Sequence, residues 1–341
     1  MNLAELNKIA NAMVAKGKGI LAADESTGTI KKRFDKIGVE STEANRRDYR
    51  ELLFRSTDAM RNYISGVILY DETIRQKAKD GTPLVKLIEQ AGSVPGIKVD
   101  NGAKLLALSK DETVTEGLDG LRERLIEYHR LGARFAKWRA TYDPTEGRPS
   151  YNCINANAQA LARYAALCQE NGIVPIVEPE VLMDGDNTIE ACEAVTEWVL
   201  KETFQQLYYA NIAMEGMILK PNMVVAGKKA VRRAGVDEVA ERTVKLLKRC
   251  VPSAVPGIAF LSGGQSDEEA TAHLNAMNAE YDLPWALTFS YGRALQAAPQ
   301  KAWSGKADNV AAAQAAFAHR ARMNGLAATG QWKPDLEKKA A

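Results

Sequence analysis

Apolar residues gather in eight short runs: GILAADES (19–26), ISGVILYDE (64–72), GIKVD (96–100), RFAKWR (134–139), IVPIVEPE (173–180), GMILKP (216–221), GIAFLSGG (257–264) and PWALTFSYGR (284–293). Runs of this length, closed by glycine, proline or charge, predict buried strands. Between them apolar positions recur at helical spacing, as in LDGLRERLIEYHRLGA, NANAQALARYAALCQEN and IEACEAVTEWVLKETFQQLYYA. Leu3, Leu6, Ile9, Ala10, Met13 and Val14 follow the same spacing and predict an amphipathic helix before the first strand. Strands alternating with helices predict βα units around a parallel sheet. Eight units at broadly even spacing predict an α/β fold, a closed (β/α)8 TIM barrel. The alternative, an open doubly wound sheet, would favour a GxGxxG after the first strand, and none is present. No linker or break in spacing divides the chain. One domain is therefore expected over residues 1–341, with a helical tail after about 305 and a short polar end from about 325. From about 330 that end, polar and interrupted by Pro334, is expected to be mobile.

Composition narrows the class of function. A length of 341 residues suits one barrel, and the net charge of +2 offers no electrostatic case for nucleic acid or an anionic membrane. Cys153, Cys168, Cys192 and Cys250 form no CxxC pair and fit reduced thiols in a cytoplasmic protein. No apolar run approaches the ~18 residues of a membrane span, and the first residues offer no apolar stretch of the secretory kind.

In such barrels the chemistry sits at the C-terminal ends of the strands. Those ends carry Asp24, Lys98, Lys137, Arg139, Glu178, Glu180, Lys220, Ser262 and Arg293. Side chains two apart on a strand share a face, which pairs Lys137 with Arg139 and Glu178 with Glu180. Lys220 stands out, because GMILKP leaves its amine at the end of a buried strand. An amine in a dry, cationic pocket deprotonates more readily and can attack a carbonyl carbon to form a Schiff base. A lone strand-end lysine usually snorkels to solvent. Recurrence of charged residues at successive strand ends favours a functional mouth instead. Its cations (Lys98, Lys137, Arg139, Lys220, Arg293) suit an anionic substrate, with phosphate first.

Two segments sharpen the phosphate reading. Ser262-Gly263-Gly264 follows the seventh strand, and Ser266-x-x-Glu269 behind it has the form of a capping box. Ser290, Gly292 and Arg293 follow the eighth strand, and loops after strands seven and eight are the usual phosphate site of this fold. A weaker second anion site is expected where Ser26 and Thr29 precede Lys31, Lys32 and Arg33. Two phosphate sites about a reactive lysine suggest a bisphosphorylated ketose.

The segments GILAADEST, GVILYDET, GIKVD, FAKWR, GIVPIVEPE, LKPNM, FLSGGQS and PWALTFSYGRALQ, in this order, resemble those of the class I fructose-bisphosphate aldolase family, from about Gly19 to about Trp303. The resemblance implies a (β/α)8 barrel that reversibly cleaves fructose 1,6-bisphosphate to dihydroxyacetone phosphate and glyceraldehyde 3-phosphate, in glycolysis or gluconeogenesis. It implies a lysine Schiff base, neither metal nor cofactor, and a homotetramer. Carried over, Lys220 matches the Schiff-base lysine, Glu178 the general acid/base and Glu180 a carboxylate that helps hold the nearby lysine. Asp24 matches the aspartate at the substrate hydroxyls, and Lys137, Arg139 and Lys98 the pocket cations. Ser262, Gly263, Gly264, Ser290, Gly292 and Arg293 match residues around one phosphate. Ser26, Thr29 and Arg33 match positions near substrate phosphate, with Thr29 standing where serine is expected.

One departure is visible: the chain ends QWKPDLEKKAA, without the terminal tyrosine that aids enamine protonation in that family. Three alternatives remain at this stage. A zinc-dependent aldolase would need clustered histidines, whereas His129, His273 and His319 are scattered. Transaldolase or deoxyribose-phosphate aldolase would share the lysine but not two phosphate sites. A non-catalytic phosphosugar-binding barrel would bind without turnover.

Overall fold

The computed structural model describes residues 1–145 and 147–339; Glu146 and the last two residues of the expected polar end lie outside the described residues. The eight apolar runs become eight parallel strands: β1 (Gly19–Ala23), β2 (Ile64–Leu69), β3 (Val94–Lys98), β4 (Phe135–Tyr142), β5 (Val174–Val181), β6 (Ile218–Leu219), β7 (Gly257–Phe260) and β8 (Ala286–Tyr291). They close into a barrel in the order β1-β8-β7-β6-β5-β4-β3-β2. The fold is therefore the expected (β/α)8 barrel. β6 is shorter than its apolar run, because Pro221 has no N–H to continue the ladder. A two-stranded hairpin, Ala103–Leu105 with Thr113–Thr115, was not anticipated; its strands are three residues each, too short to show a period.

Alternation along β4 sorts its side chains. Trp138 faces outward and stacks on Tyr164 of the helix Tyr151–Glu170, 5.6 Å between centroids. Phe135 fills the barrel, its ring within 2.3 Å of where a β-carbon would sit on Gly96, so β3 can approach only with glycine there. The N-terminal helix Leu3–Met13 closes the opposite end from the strand C-termini. Its Leu6, Ile9, Ala10 and Met13 pack with Ile20, Ile68, Phe135, Ile176 and Ile218. One end of the barrel is thus plugged, and the mouth opens where the charged residues lie.

The C-terminal end departs from expectation. The helix Val310–Ala327 runs past 325, and the following segment is docked on the body up to Lys338. Trp332 is buried, its main-chain N–H donating to Asn275 Oδ1 (2.9 Å) and its indole to Glu337 Oε1 (3.0 Å). Glu337 Oε2 accepts from Arg320 (2.7 Å). An aromatic anchor and a carboxylate paired with buried Arg320 outweigh the polar composition on which the expectation of mobility rested. No helix among the described residues is long and apolar enough to cross a membrane.

Candidate active site

Four side chains form a continuous row across the mouth. Lys220 Nζ lies 3.1 Å from Glu178 Oε1. Glu178 Oε2 faces Lys137 Nζ at 3.4 Å, outside hydrogen-bonding geometry, and has no hydrogen-bond partner among the described residues. Lys137 Nζ lies 2.8 Å from Asp24 Oδ2. Lys137, Glu178 and Lys220 are all buried. Burial alone would neutralise both members of the Lys137–Asp24 pair. Mutual attraction prevails: Asp24, Glu178 and Asp100 hold Lys137 protonated well above the lysine range, and Lys137, Lys220 and Lys98 hold Asp24 down to about 2.

The mouth was expected to hold a surplus of unmatched cations, with repulsion favouring a neutral lysine. Six cationic side chains do line it, but four carboxylates accompany them. Arg139 pairs with Glu180, Lys98 Nζ with Asp100 Oδ1 (3.0 Å), and Arg33 with Glu25. Arg139 is held charged far above its ordinary range; burial opposes this, and Glu180 outweighs it. The cations are therefore set in place by local carboxylates, leaving a modest positive excess for a ligand.

The loop after β7 is shaped as an anion cradle. Ser262 O and Gln265 O both accept from Arg293 Nη2, and Gly264 O accepts from Arg233 Nη2 (3.1 Å). With three carbonyls turned toward guanidinium groups, the N–H groups of Ser262, Gly263 and Gly264 are left without acceptors among the described residues. Gly264 adopts φ +76°, a conformation glycine takes freely. Unlike Ser262 and Gly263, Gly264 does not line the cavity; its α-carbon packs on Met183 and it serves the turn. The capping box is present, Ser266 Oγ accepting from Glu269 N (3.1 Å) and Glu269 Oε2 from Ser266 N (2.7 Å). That helix start is consequently occupied by its own side chains. The free start is the helix Arg293–Trp303, whose cap Gly292 supplies no side chain and opens on the cavity beside Ser290. Ser290 Oγ is buried and has no hydrogen-bond partner among the described residues.

Arg33 joins this same cluster. β1 and β8 are neighbours in the closed barrel, and Arg33 Nη2 lies 3.6 Å from the β-carbon position of Gly292. The second anion site therefore divides: Arg33 reaches the β8 turn, while Lys98 and Arg139 form the opposite wall. Ser26 caps the helix Thr27–Asp35, accepting from Thr29 N (3.4 Å), with Thr29 Oγ1 3.1 Å away. Both hydroxyls still line the cavity.

Four supporting residues, Glu25, Gln296, Arg50 and Asp100, escaped the sequence reading. Buried Glu25 ties Arg33 to Gln296 (Nε2 to Oε1, 2.7 Å), Gln296 also donates to Ala22 O (2.6 Å), and buried Arg50 donates to Glu25 O (2.8 Å). Asp100 likewise anchors Lys98 from the loop after β3. Buried polar groups off any periodic stripe give no signal in one dimension. The cavity measures about 380 Å³, within the usual range of about 300–1,000 Å³ for small-molecule sites. The histidines lie elsewhere: His273 Nδ1 meets Gln265 Nε2 at 2.7 Å, burial pushing its pKa down to about 4, and His319 meets Glu337. Among the described residues no three of His, Cys, Asp or Glu are grouped to hold a metal.

Comparison with known proteins gives a consistent answer. The family model for fructose-bisphosphate aldolase class-I matches residues 5–341. A probable fructose-bisphosphate aldolase class 1 of Xanthomonas campestris pv. campestris is 59% identical over 334 residues, covering 98% of this chain and 100% of the relative. A non-muscle type fructose-bisphosphate aldolase of Lethenteron camtschaticum is 54% identical over 331 residues, covering 97% of this chain and 91% of the relative. The fructose-bisphosphate aldolase of Plasmodium falciparum, solved in a ternary complex with TRAP and a small-molecule inhibitor, superposes with a TM-score of 0.95 at 50% identity, covering 97% of this chain and 96% of that one.

Proposed function

Because this chain belongs to the class I fructose-bisphosphate aldolase family, we propose that it cleaves fructose 1,6-bisphosphate reversibly, in glycolysis or gluconeogenesis, through a Schiff base on Lys220. The observation that carries this reading is the buried row Lys220–Glu178–Lys137–Asp24, which sets an amine beside a carboxylate with one unpartnered oxygen.

Lys220 Nζ attacks the C2 carbonyl to give a carbinolamine, and loss of water gives a protonated imine. Glu178, 3.1 Å from that amine, is the group that moves protons here, its free Oε2 available to accept one. Removing the C4 hydroxyl proton breaks the C3–C4 bond. Its electrons flow to nitrogen, glyceraldehyde 3-phosphate leaves, and an enamine stays on Lys220. Protonation at C3 and hydrolysis release dihydroxyacetone phosphate and the free amine. Asp24 and Lys137 face the substrate hydroxyls, and Glu180 orients Arg139. One phosphate fits the β7 and β8 turns with Ser262, Gly263, Ser290, Gly292, Arg293 and Arg33. The other fits the Lys98–Arg139 wall, with Ser26 and Thr29 nearby. A single (β/α)8 unit spanning the chain, a homotetramer and a cytoplasmic location complete the proposal.

A coupled assay with fructose 1,6-bisphosphate and fructose 1-phosphate, each with and without a chelator, tests the reading. Turnover that survives chelation supports it, and loss restored by zinc contradicts it.

A further inference from the structure

The strand leading into Lys220 is the shortest in the barrel, pairing with β5 only at Ile176↔Ile218 and Val177↔Leu219. Lys220 N donates to Val177 O (2.8 Å), and there the main-chain ladder ends, because Pro221 has no N–H. β5 nevertheless continues to Val181, carrying Glu178 and Glu180 into the mouth. On its β6 edge the next residue in register, Pro179, also lacks an N–H. Val181 is the next donor on that edge, two residues further along the strand.

That donor is taken by a side chain. Asn222 Oδ1 accepts from Val181 N (2.9 Å). The same amide donates through Nδ2 to Thr196 Oγ1 and to Met223 O, both at 3.1 Å. Asn222 is 2% exposed, and Thr196 lies on the helix Ile189–Tyr209 packed behind β5. Its amide stands in for the missing rung, tying the loop after Lys220 to the strand end after Glu178 and anchoring both to a helix.

We propose that Asn222 is a positioning residue that sets the separation of Lys220 Nζ from Glu178, and so the rate of Schiff-base formation. The inference rests on the reading of Lys220 and Glu178 as the reacting pair. Asn222 touches neither side chain; it acts through the two main-chain segments that carry them. Proton transfer and attack depend steeply on such distances, and a misplacement of about 1 Å can cost about 100-fold.

The test compares full-length protein with Asn222→Leu, Asn222→Ser and Thr196→Val. It measures kcat and KM with fructose 1,6-bisphosphate, the rate of borohydride trapping with dihydroxyacetone phosphate, and Tm. In Asn222→Leu, kcat and the trapping rate are expected to fall together by about 10- to 100-fold, with KM within about threefold, because the phosphate groups bind elsewhere. Asn222→Ser keeps a hydroxyl that can accept from Val181 and is expected to recover part of the loss. Thr196→Val loosens the amide from behind and gives a smaller change of the same sign; these two milder variants decide the matter if Asn222→Leu does not fold. A folded Asn222→Leu with lowered Tm but trapping and kcat within twofold of the parent assigns Asn222 a purely structural role and overturns the proposal. So does a change in KM at constant kcat. Absence of trapping in the parent protein overturns the reading of Lys220 itself, and the inference with it.

Discussion

Lys137 of β4 and Asp24, at the end of β1, form a buried ion pair at 2.8 Å that crosses the barrel mouth rather than joining neighbouring strands. Neither charge would stay ionised alone there; together they hold the floor of the site in one protonation state. Lys220 can share Glu178 with Lys137 because Asp24 takes up the second lysine.

Removing one partner strands the other. Lys137→Met is expected to destabilise the protein by about 3–5 kcal/mol in chemical denaturation, while Asp24→Leu combined with Lys137→Met recovers most of that stability without restoring turnover. The pH dependence has a definite sign. Asp24 titrates at about 2 in the folded protein against an ordinary 3.8, so its contribution is present above about pH 4 and lost as pH falls toward 2. Acid titration of stability should show this slope in the parent and a shallower one in Asp24→Asn.

Ser290 separates binding from stability. Its hydroxyl is buried and satisfied by no protein group among the described residues, so Ser290→Ala should leave the Tm of the free protein unchanged or slightly raised. If a phosphate oxygen is its partner, the variant loses about 1–2 kcal/mol of affinity for dihydroxyacetone phosphate, read by calorimetry.

Arg293 is half-exposed, and one of its amino groups is already engaged by Ser262 O and Gln265 O. Arg293→Ala is therefore expected near the lower end of the range for a charged pair, about 2 kcal/mol of phosphate affinity. Inorganic phosphate should inhibit the variant more weakly by the corresponding factor of about 30. Unchanged inhibition would put the phosphate elsewhere.

The C-terminal segment gives a test of structure rather than catalysis. Cutting after Gly330 removes Trp332 and Glu337, which leaves Arg320 without its carboxylate. We expect a loss of about 3 kcal/mol and a Tm lower by several degrees. Bond cleavage, and proton exchange at C3 of dihydroxyacetone phosphate, should stay within a few-fold of the intact protein. An unchanged Tm would mean that the segment does not dock in solution.

The eight strands and five of the six cavity-lining cations were legible because apolar runs ending in charge are local signals; Arg33, on the helix after β1, was not legible in this way. Lys220 could be singled out because GMILKP leaves it at a buried strand end and the other strand ends repeat the charge. What sequence could not give was pairing. That Arg33 meets Gly292 depends on barrel closure between β1 and β8. That Lys98 is held by Asp100, and Arg33 by Glu25, depends on loop conformations with no period. The docking of Trp332 was missed for a related reason: a single aromatic in a polar stretch carries no pattern, yet one filled pocket is enough to fix a segment. The capping box at Ser266 and Glu269 was read correctly as a local motif, but its very completeness occupies that helix start, so the free helix start is the one at Gly292, beside the open N–H groups of the Ser262–Gly264 turn.

The most direct measurement is reductive trapping. Borohydride added with dihydroxyacetone phosphate should reduce an imine to a stable secondary amine, inactivate the protein, and leave a three-carbon phosphate adduct that peptide mass spectrometry maps to Lys220. Lys220→Met should give no adduct. An adduct on another lysine, or none in the parent protein, would contradict Schiff-base catalysis at this site.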